Sequence, residues 1–260
     1  MAYLTYLQDG LQNERIKRWP EQCMPLKFYI APFNWYNKTD SDKYTYQKMV
    51  IEALNVWEQV SGGKIRFQVV QNLNDSQINL EWQRVQRKSL GFCYFNFDEL
   101  SRLYSAEVKI GISDGIIHKQ YMDKNEVFHT ILHEIGHSLG LGHSDVSGDI
   151  MYVPHQYGAV KLTQRDINTM QWLYTFPAGA LVNDIAKAYS LHIQNIDEIV
   201  SYLVSNNPKS EFDKVMNSIE QKPSRDLLQE QANLGEIRKY YLSLQDIKLP
   251  DEIKKKFKDF

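Results

Sequence analysis

Cysteine is scarce in this chain: two in 260 residues, Cys23 and Cys93. That excludes a small fold framed by disulfides. Charge of one sign is missing too. Thirty Lys and Arg stand against 32 Asp and Glu, a formal net charge of -2, so no basic footprint for nucleic acid is present. No apolar run reaches the length of a membrane span. The opening MAYLTYLQDG carries no basic stretch followed by an apolar one, so no secretion signal is expected in it. Either the chain is a mature form with its leader removed, or the protein is not exported by that route. No internal repeat is visible. What remains is a globular composition, long enough for one large domain or two smaller ones.

What is present is concentrated in eleven residues, His133-Glu134-Ile135-Gly136-His137-Ser138-Leu139-Gly140-Leu141-Gly142-His143. The pattern is H-E-x-x-H-x-x-G-x-x-H. On a helix, positions i and i+4 share one face, so His133 and His137 can offer two imidazoles to one metal ion. Gly140 lets the chain turn out of the helix, since glycine adopts positive φ at little cost. His143 then returns as a third ligand. Three nitrogens on zinc leave one position for water, the pattern of a catalytic rather than a structural site. Zinc lowers the pKa of such a water to about 7, and Glu134, beside the first ligand, is placed to take its proton. With average residue usage, this pattern arises by chance in roughly one in 10⁵ chains of this length.

The flanks fit a helix of about 125–139. Asp123 and Glu126 form a capping pair at its start, and Val127, Phe128, Ile131, Leu132, Ile135 and Leu139 line an apolar face. Upstream, Leu26, Phe28 and Ile30 alternate as a strand. Residues 44–60 read as an amphipathic helix stopped by Ser61-Gly62-Gly63. Ile65, Phe67 and Val69, then Ile78, Leu80 and Trp82, alternate as two more strands. A strand, a crossover helix and further strands predict a mostly parallel sheet. Residues 90–95 are a short aromatic-rich strand and 106–112 another. The first of these is either a buried strand or an exposed edge; an exposed edge accepts an extended peptide as an added strand.

The metal-binding run resembles that of the metzincin metallopeptidases, and the resemblance continues past it. Met151, in Asp149-Ile150-Met151-Tyr152, resembles their methionine turn, and Ser144 after the third histidine resembles the matrixin branch. The run from Leu162 to Tyr174 is similar to the closing helix of matrixin catalytic domains. The likeness covers about 24–176. It implies an α+β fold: a twisted mixed sheet with one antiparallel edge strand, an active-site helix and a methionine turn. It also implies a zinc endopeptidase with one catalytic zinc on His133, His137 and His143 and Glu134 as general base. Met151 and Gly140 would be structural supports. Phe92 and Tyr94 on the edge strand, and Tyr157 with His155 after the methionine turn, would contact a polypeptide substrate bound as an extended strand. Pro154-His155-Gln156-Tyr157 is one residue longer than the family's usual Pro-x-Tyr, so pocket specificity is not carried over. His118 and the acids Asp98, Glu99, Glu107, Asp114 and Asp123 make no recognisable structural-zinc motif, and calcium is not indicated. This leaner pattern resembles microbial matrixin relatives. An extracellular or cell-envelope location is implied by the resemblance alone.

Two residues invite a latency reading. Cys23, in Pro20-Glu21-Gln22-Cys23-Met24-Pro25, superficially resembles a cysteine switch but lacks the Arg and Gly expected around it. Asp9 is a second candidate cap for the metal. The expected organisation is an N-terminal segment 1–23, a peptidase domain 24–177 and an all-helical C-terminal region 178–260 beyond Pro177-Ala178-Gly179. Leu181, Ile185, Ala188, Tyr189 and His192 share a predicted face. Ile196, Ile199, Val200 and Leu203 suggest a second helix, with three more at 212–219, 227–244 and from Pro250. This tail is a small bundle for the catalytic domain or an unknown partner. Two other readings of the histidine helix stay open. One is an exopeptidase or other zinc hydrolase. The other is a binding protein whose zinc only holds the fold, against which Glu134 argues.

Overall fold

A computed structural model describes residues 3–33, 40–84, 90–112, 124–154 and 161–206, all within one unit, Met1–Ser224. In chain order the elements are α1 (Leu7–Gly10), β1 (Leu26–Ile30), α2 (Asp40–Val60), β2 (Phe67–Val70), β3 (Ile78–Arg84), β4 (Gly91–Phe97), β5 (Leu103–Ile112), α3 (Lys124–Ser138), α4 (Gln164–Leu173), α5 (Val182–Ala188) and α6 (Ile196–Asn206). Tyr157, His155, His118, Asp114 and Asp123, and the helices expected after residue 206, lie outside the described residues.

The strands form one sheet in the order β2-β1-β3-β5-β4. β1 pairs parallel with β2 and β3, and β3 parallel with β5. β4 alone runs antiparallel, at the edge beside β5. This is the mixed sheet with one antiparallel edge strand that the alternation and the resemblance predict. Residues in register share a face. Phe28 lies opposite Ile78, Ile78 opposite Ala106, and Leu80 opposite Val108. All of these are buried, and α3 packs on β4 and β5. β4 continues the same face through Gly91 and Cys93, which lie opposite Ile110 and Val108.

α2 packs against α3 rather than standing apart. Val50, Ala53, Leu54 and Trp57 recur at helical spacing and are fully buried. The Trp57 indole N–H donates to the Leu132 carbonyl at 3.1 Å, so a large apolar ring also satisfies a backbone acceptor of α3. Past the helices, Ile16 N–H donates to the Ala180 carbonyl and Val182 N–H to the Glu14 carbonyl, at 2.9 and 3.0 Å. Val182, Ile185 and Ala186 of α5 are buried, and Tyr189, expected on that face, is 49% exposed because α5 ends at Ala188. Ile196, Ile199 and Val200 bury the expected face of α6.

Trp57 thus supports the histidine helix from below. Trp57→Ala is expected to destabilise the protein by about 3–5 kcal/mol, the cost of deleting a buried aromatic, read as a lower urea midpoint at unchanged slope.

Candidate metal centre

α3 carries His133 and His137 one turn apart. After α3 the chain leaves the helix through Gly140, with φ at +107°. A Cβ there would overlap the Lys17 carbonyl oxygen, so this position needs glycine for its backbone angle and for the close approach. The open carbonyls at the helix end find partners. Trp19 Nε1 donates to the Ser138 carbonyl at 2.8 Å and the Tyr174 hydroxyl to the Leu139 carbonyl at 3.0 Å. His143 follows the turn and is exposed, whereas His133 and His137 are half-buried.

The three histidines converge. Nε2 of His137 lies 3.1 Å from Nε2 of His133 and 3.2 Å from Nε2 of His143. Nδ1 of His133 sits 2.8 Å from the Ile150 carbonyl, and Nδ1 of His137 sits 2.9 Å from the Leu141 carbonyl. A carbonyl only accepts, so both Nδ1 atoms carry the proton and both Nε2 atoms present lone pairs. Burial, with the neighbouring imidazole next in effect, pushes the His133 pKa down to about 3. Burial likewise pushes His137 down to about 4. Lone pairs that face each other at this distance repel unless a cation lies between them. A tetrahedral zinc at 2.0–2.1 Å from each nitrogen separates them by about 3.3–3.4 Å, so this donor set fits zinc.

Glu134 sits next to the first histidine and is 7% exposed. Burial alone pushes its carboxyl up to about 8; a dication beside it would favour the carboxylate again. The edge strand reaches it through Gly91, where a Cβ would stand 2.6 Å from Glu134 Cγ and 2.8 Å from Oε1. From below, Met151 is fully buried. A Cβ on Gly136 would stand 2.6 Å from Met151 Sδ, so the thioether lies directly under the turn between the two helical histidines. Met151 also accepts the Ser144 N–H at 3.0 Å.

Of the residues expected to touch substrate, Phe92 and Tyr94 stand on the face of β4 opposite Gly91 and Cys93. Their rings stack at 6.2 Å, with Lys109 Nζ 5.9 Å from the Tyr94 ring centroid. Gly91 and Cys93, with Phe95 after them, share the β4 face on the Glu134 side, and sequence reasoning missed Gly91 and Cys93. The signal was there: if Phe92 and Tyr94 share one face, strand alternation puts Gly91 and Cys93 on the other. Lys17 was missed as well. Its ammonium lies 4.1 Å from the Phe95 ring centroid, and burial lowers its pKa. The converging cluster is His133, His137 and His143. Asp9 instead accepts the His143 backbone N–H, 2.6 Å from Oδ2. Cys23 ends a 3-10 turn just before β1.

Two histidines one helical turn apart, a third past a glycine turn and a buried methionine beneath them define a metzincin-type centre. The matrixin family model matches residues 18–175, and the chain belongs to that family, whose members are zinc metalloendopeptidases. Proteins from Trichoplusia ni ascovirus 2c and Heliothis virescens ascovirus 3e, both described as matrix metalloproteinases, are 27% and 26% identical to it over 176 and 186 residues. Each match covers 58% of this chain but 35% and 38% of the relative, so the chain spans little more than a third of these relatives' length. Pig interstitial collagenase is 44% identical over 57 residues, 22% of this chain and 12% of the collagenase. Among the described residues no helix is long and apolar enough to cross a membrane.

Gly140→Ala is expected to cost at least the roughly 1–3 kcal/mol of a strained backbone conformation, and more from the overlap with Lys17. It should lower the unfolding midpoint and, by moving His143, weaken zinc binding measured against a chromophoric chelator.

Proposed function

We propose that this protein is a zinc-dependent endopeptidase in which His133, His137 and His143 hold one zinc and Glu134 is the general base. The observation that carries the reading is the convergence of three imidazole nitrogens beside a buried glutamate that Gly91 of the edge strand approaches. Zinc held there would supply a Lewis acid for the scissile carbonyl and make water a nucleophile near neutral pH.

The chain's own groups do the rest. The carbonyls of Ile150 and Leu141 hold two imidazoles in the tautomer that leaves Nε2 free. Glu134 takes the proton from the attacking water and delivers it to the leaving amine. No side chain attacks the carbonyl, so no acyl-enzyme forms. β4, at the sheet edge, supplies unpaired backbone groups to an extended polypeptide. Gly91 and Cys93 face that peptide's reacting centre, with Phe92 and Tyr94 on the outer face and Tyr157 beyond the methionine turn as further substrate contacts. Gly140 and Met151 support the ligands. An extracellular or cell-envelope site of action fits the family, and the helical region 178–260 would meet an unknown partner.

Glu134→Ala should keep one zinc per chain and the wild-type fold while casein cleavage drops about 10²–10⁴-fold. Chelation should abolish cleavage and added zinc restore it. Full activity in the metal-loaded variant would remove Glu134 from its role. Gly91→Ala makes a sharper cut. Its methyl group meets the buried Glu134 and Thr130 side chains, so cleavage should fall at least tenfold and the unfolding midpoint should drop by the equivalent of about 1–3 kcal/mol, while zinc content stays near wild type.

A further inference from the structure

His143 differs from the other two histidines because no helix carries it. We infer that two carboxylates outside the matched segment position it: Asp9, which holds its backbone N–H, and Asp197 of α6, which holds the segment bearing Asp9. This rests on His143 being a zinc ligand.

The contact begins in the backbone. Asp9 Oδ2 accepts the His143 N–H at 2.6 Å. A Cβ on Gly142 would stand 2.5 Å from the Asp9 carbonyl carbon. One on Gly10 would stand 3.0 Å from both the Gly140 oxygen and the Gly142 nitrogen. Residues 9–10 and 140–142 therefore lie main chain against main chain, and glycine on both sides allows it. This fixes the turn that brings His143 back to the metal.

The segment bearing Asp9 needs its own anchor. α1 has four residues, too few to hold a helix unaided. The Asp197 carboxylate meets it. Oδ1 accepts the Thr5 hydroxyl at 2.6 Å and the Leu7 N–H at 2.7 Å, and Oδ2 accepts the Gln8 N–H at 3.1 Å. Gln8 returns the contact, its Oε1 accepting the Ile196 N–H at 3.0 Å. Asp197 is 4% exposed and Thr5 fully buried, so these are desolvated, charge-assisted bonds. The order of dependence is α6, then α1, then Asp9, then the His143 backbone.

Zinc release from the full-length chain to a chromophoric chelator tests the order. Wild type and Asp9→Ala, Asp9→Asn, Asp197→Ala and the double Asp9→Ala/Asp197→Ala variant are each loaded with zinc. Asp9 is exposed, so its substitutions leave the core intact. Asp9→Ala should release zinc about tenfold or more faster, as loss of a partner that orients a ligand typically does. Asp9→Asn keeps an acceptor oxygen and should restore most of the difference. Asp197→Ala should also accelerate release, and the double variant should be no faster than Asp9→Ala alone. Wild-type release from Asp9→Ala, or effects that multiply in the double variant, would overturn the inference. His143→Ala separates the two levels: unchanged zinc release there sinks the ligand assignment itself. If Asp197→Ala does not fold, the two Asp9 variants still decide.

Discussion

The Nε2 atoms of His133 and His143 lie within 3.2 Å of that of His137, and the lone pairs of His133 and His137 repel one another, so the surrounding fold must hold the rings in place. Helix spacing accounts for only two of them. What points the rings inward is a pair of backbone carbonyls, those of Ile150 and Leu141, each taking an Nδ1 proton. Both lie on irregular chain, so each needs an anchor of its own. Leu141 is buried and its N–H returns to the Gly136 carbonyl at 3.1 Å. Ile150 N–H donates to Asp166 Oδ2 at 2.9 Å, which ties the methionine turn to the first turn of α4.

That tie belongs to a larger buried network. Asp166 also accepts the Thr163 N–H and the Tyr6 hydroxyl, at 2.8 and 2.7 Å. Asp149 accepts hydroxyls from Ser144 and Thr163 and a guanidinium N–H from Arg165. Burial raises the Asp166 pKa even against these donors, so desolvation outweighs hydrogen bonding at that carboxyl. Buried charge of this kind adds little net stability. Its consequence is geometric: Asp149 and Ile150 are tied to Ser144, Thr163, Arg165 and Asp166, and each broken bond leaves a desolvated acceptor costing about 1–3 kcal/mol.

The sheet and its helices were readable because their residues repeat. β1 runs from Leu26 to Ile30 as the alternation predicts, and α3 covers Lys124–Ser138 against an expected 125–139. α2 begins at Asp40, ahead of the expected Tyr44, because polar first-turn residues carry no apolar period. β4 runs past residue 95 to Phe97, through a register shift at Asn96/Phe97 that alternation cannot signal. Within the site, the convergence of the three histidines was legible in their spacing. The contacts of Asp9 and Asp197 span chain separations as long as the 192 residues between Thr5 and Asp197. No local pattern records such a pairing. Asp197 reads in sequence as an ordinary acid in a helix first turn.

Gly136 shows how the site sets local preference aside. A glycine inside α3 costs about 1 kcal/mol relative to alanine, and it sits between two histidines whose spacing depends on an intact helix. Burying Met151 beneath it contributes about 1.5–3 kcal/mol, more than the glycine costs, and only a residue without a Cβ leaves room for the sulfur. The two positions are therefore coupled. The methionine packs beneath Gly136, and the glycine lets it come that close. With Trp57 Cζ2 also 3.2 Å from that same Cβ position, three elements meet at one point beneath the ligands. Such a floor moves little, because shifting any one of them requires the other two to move.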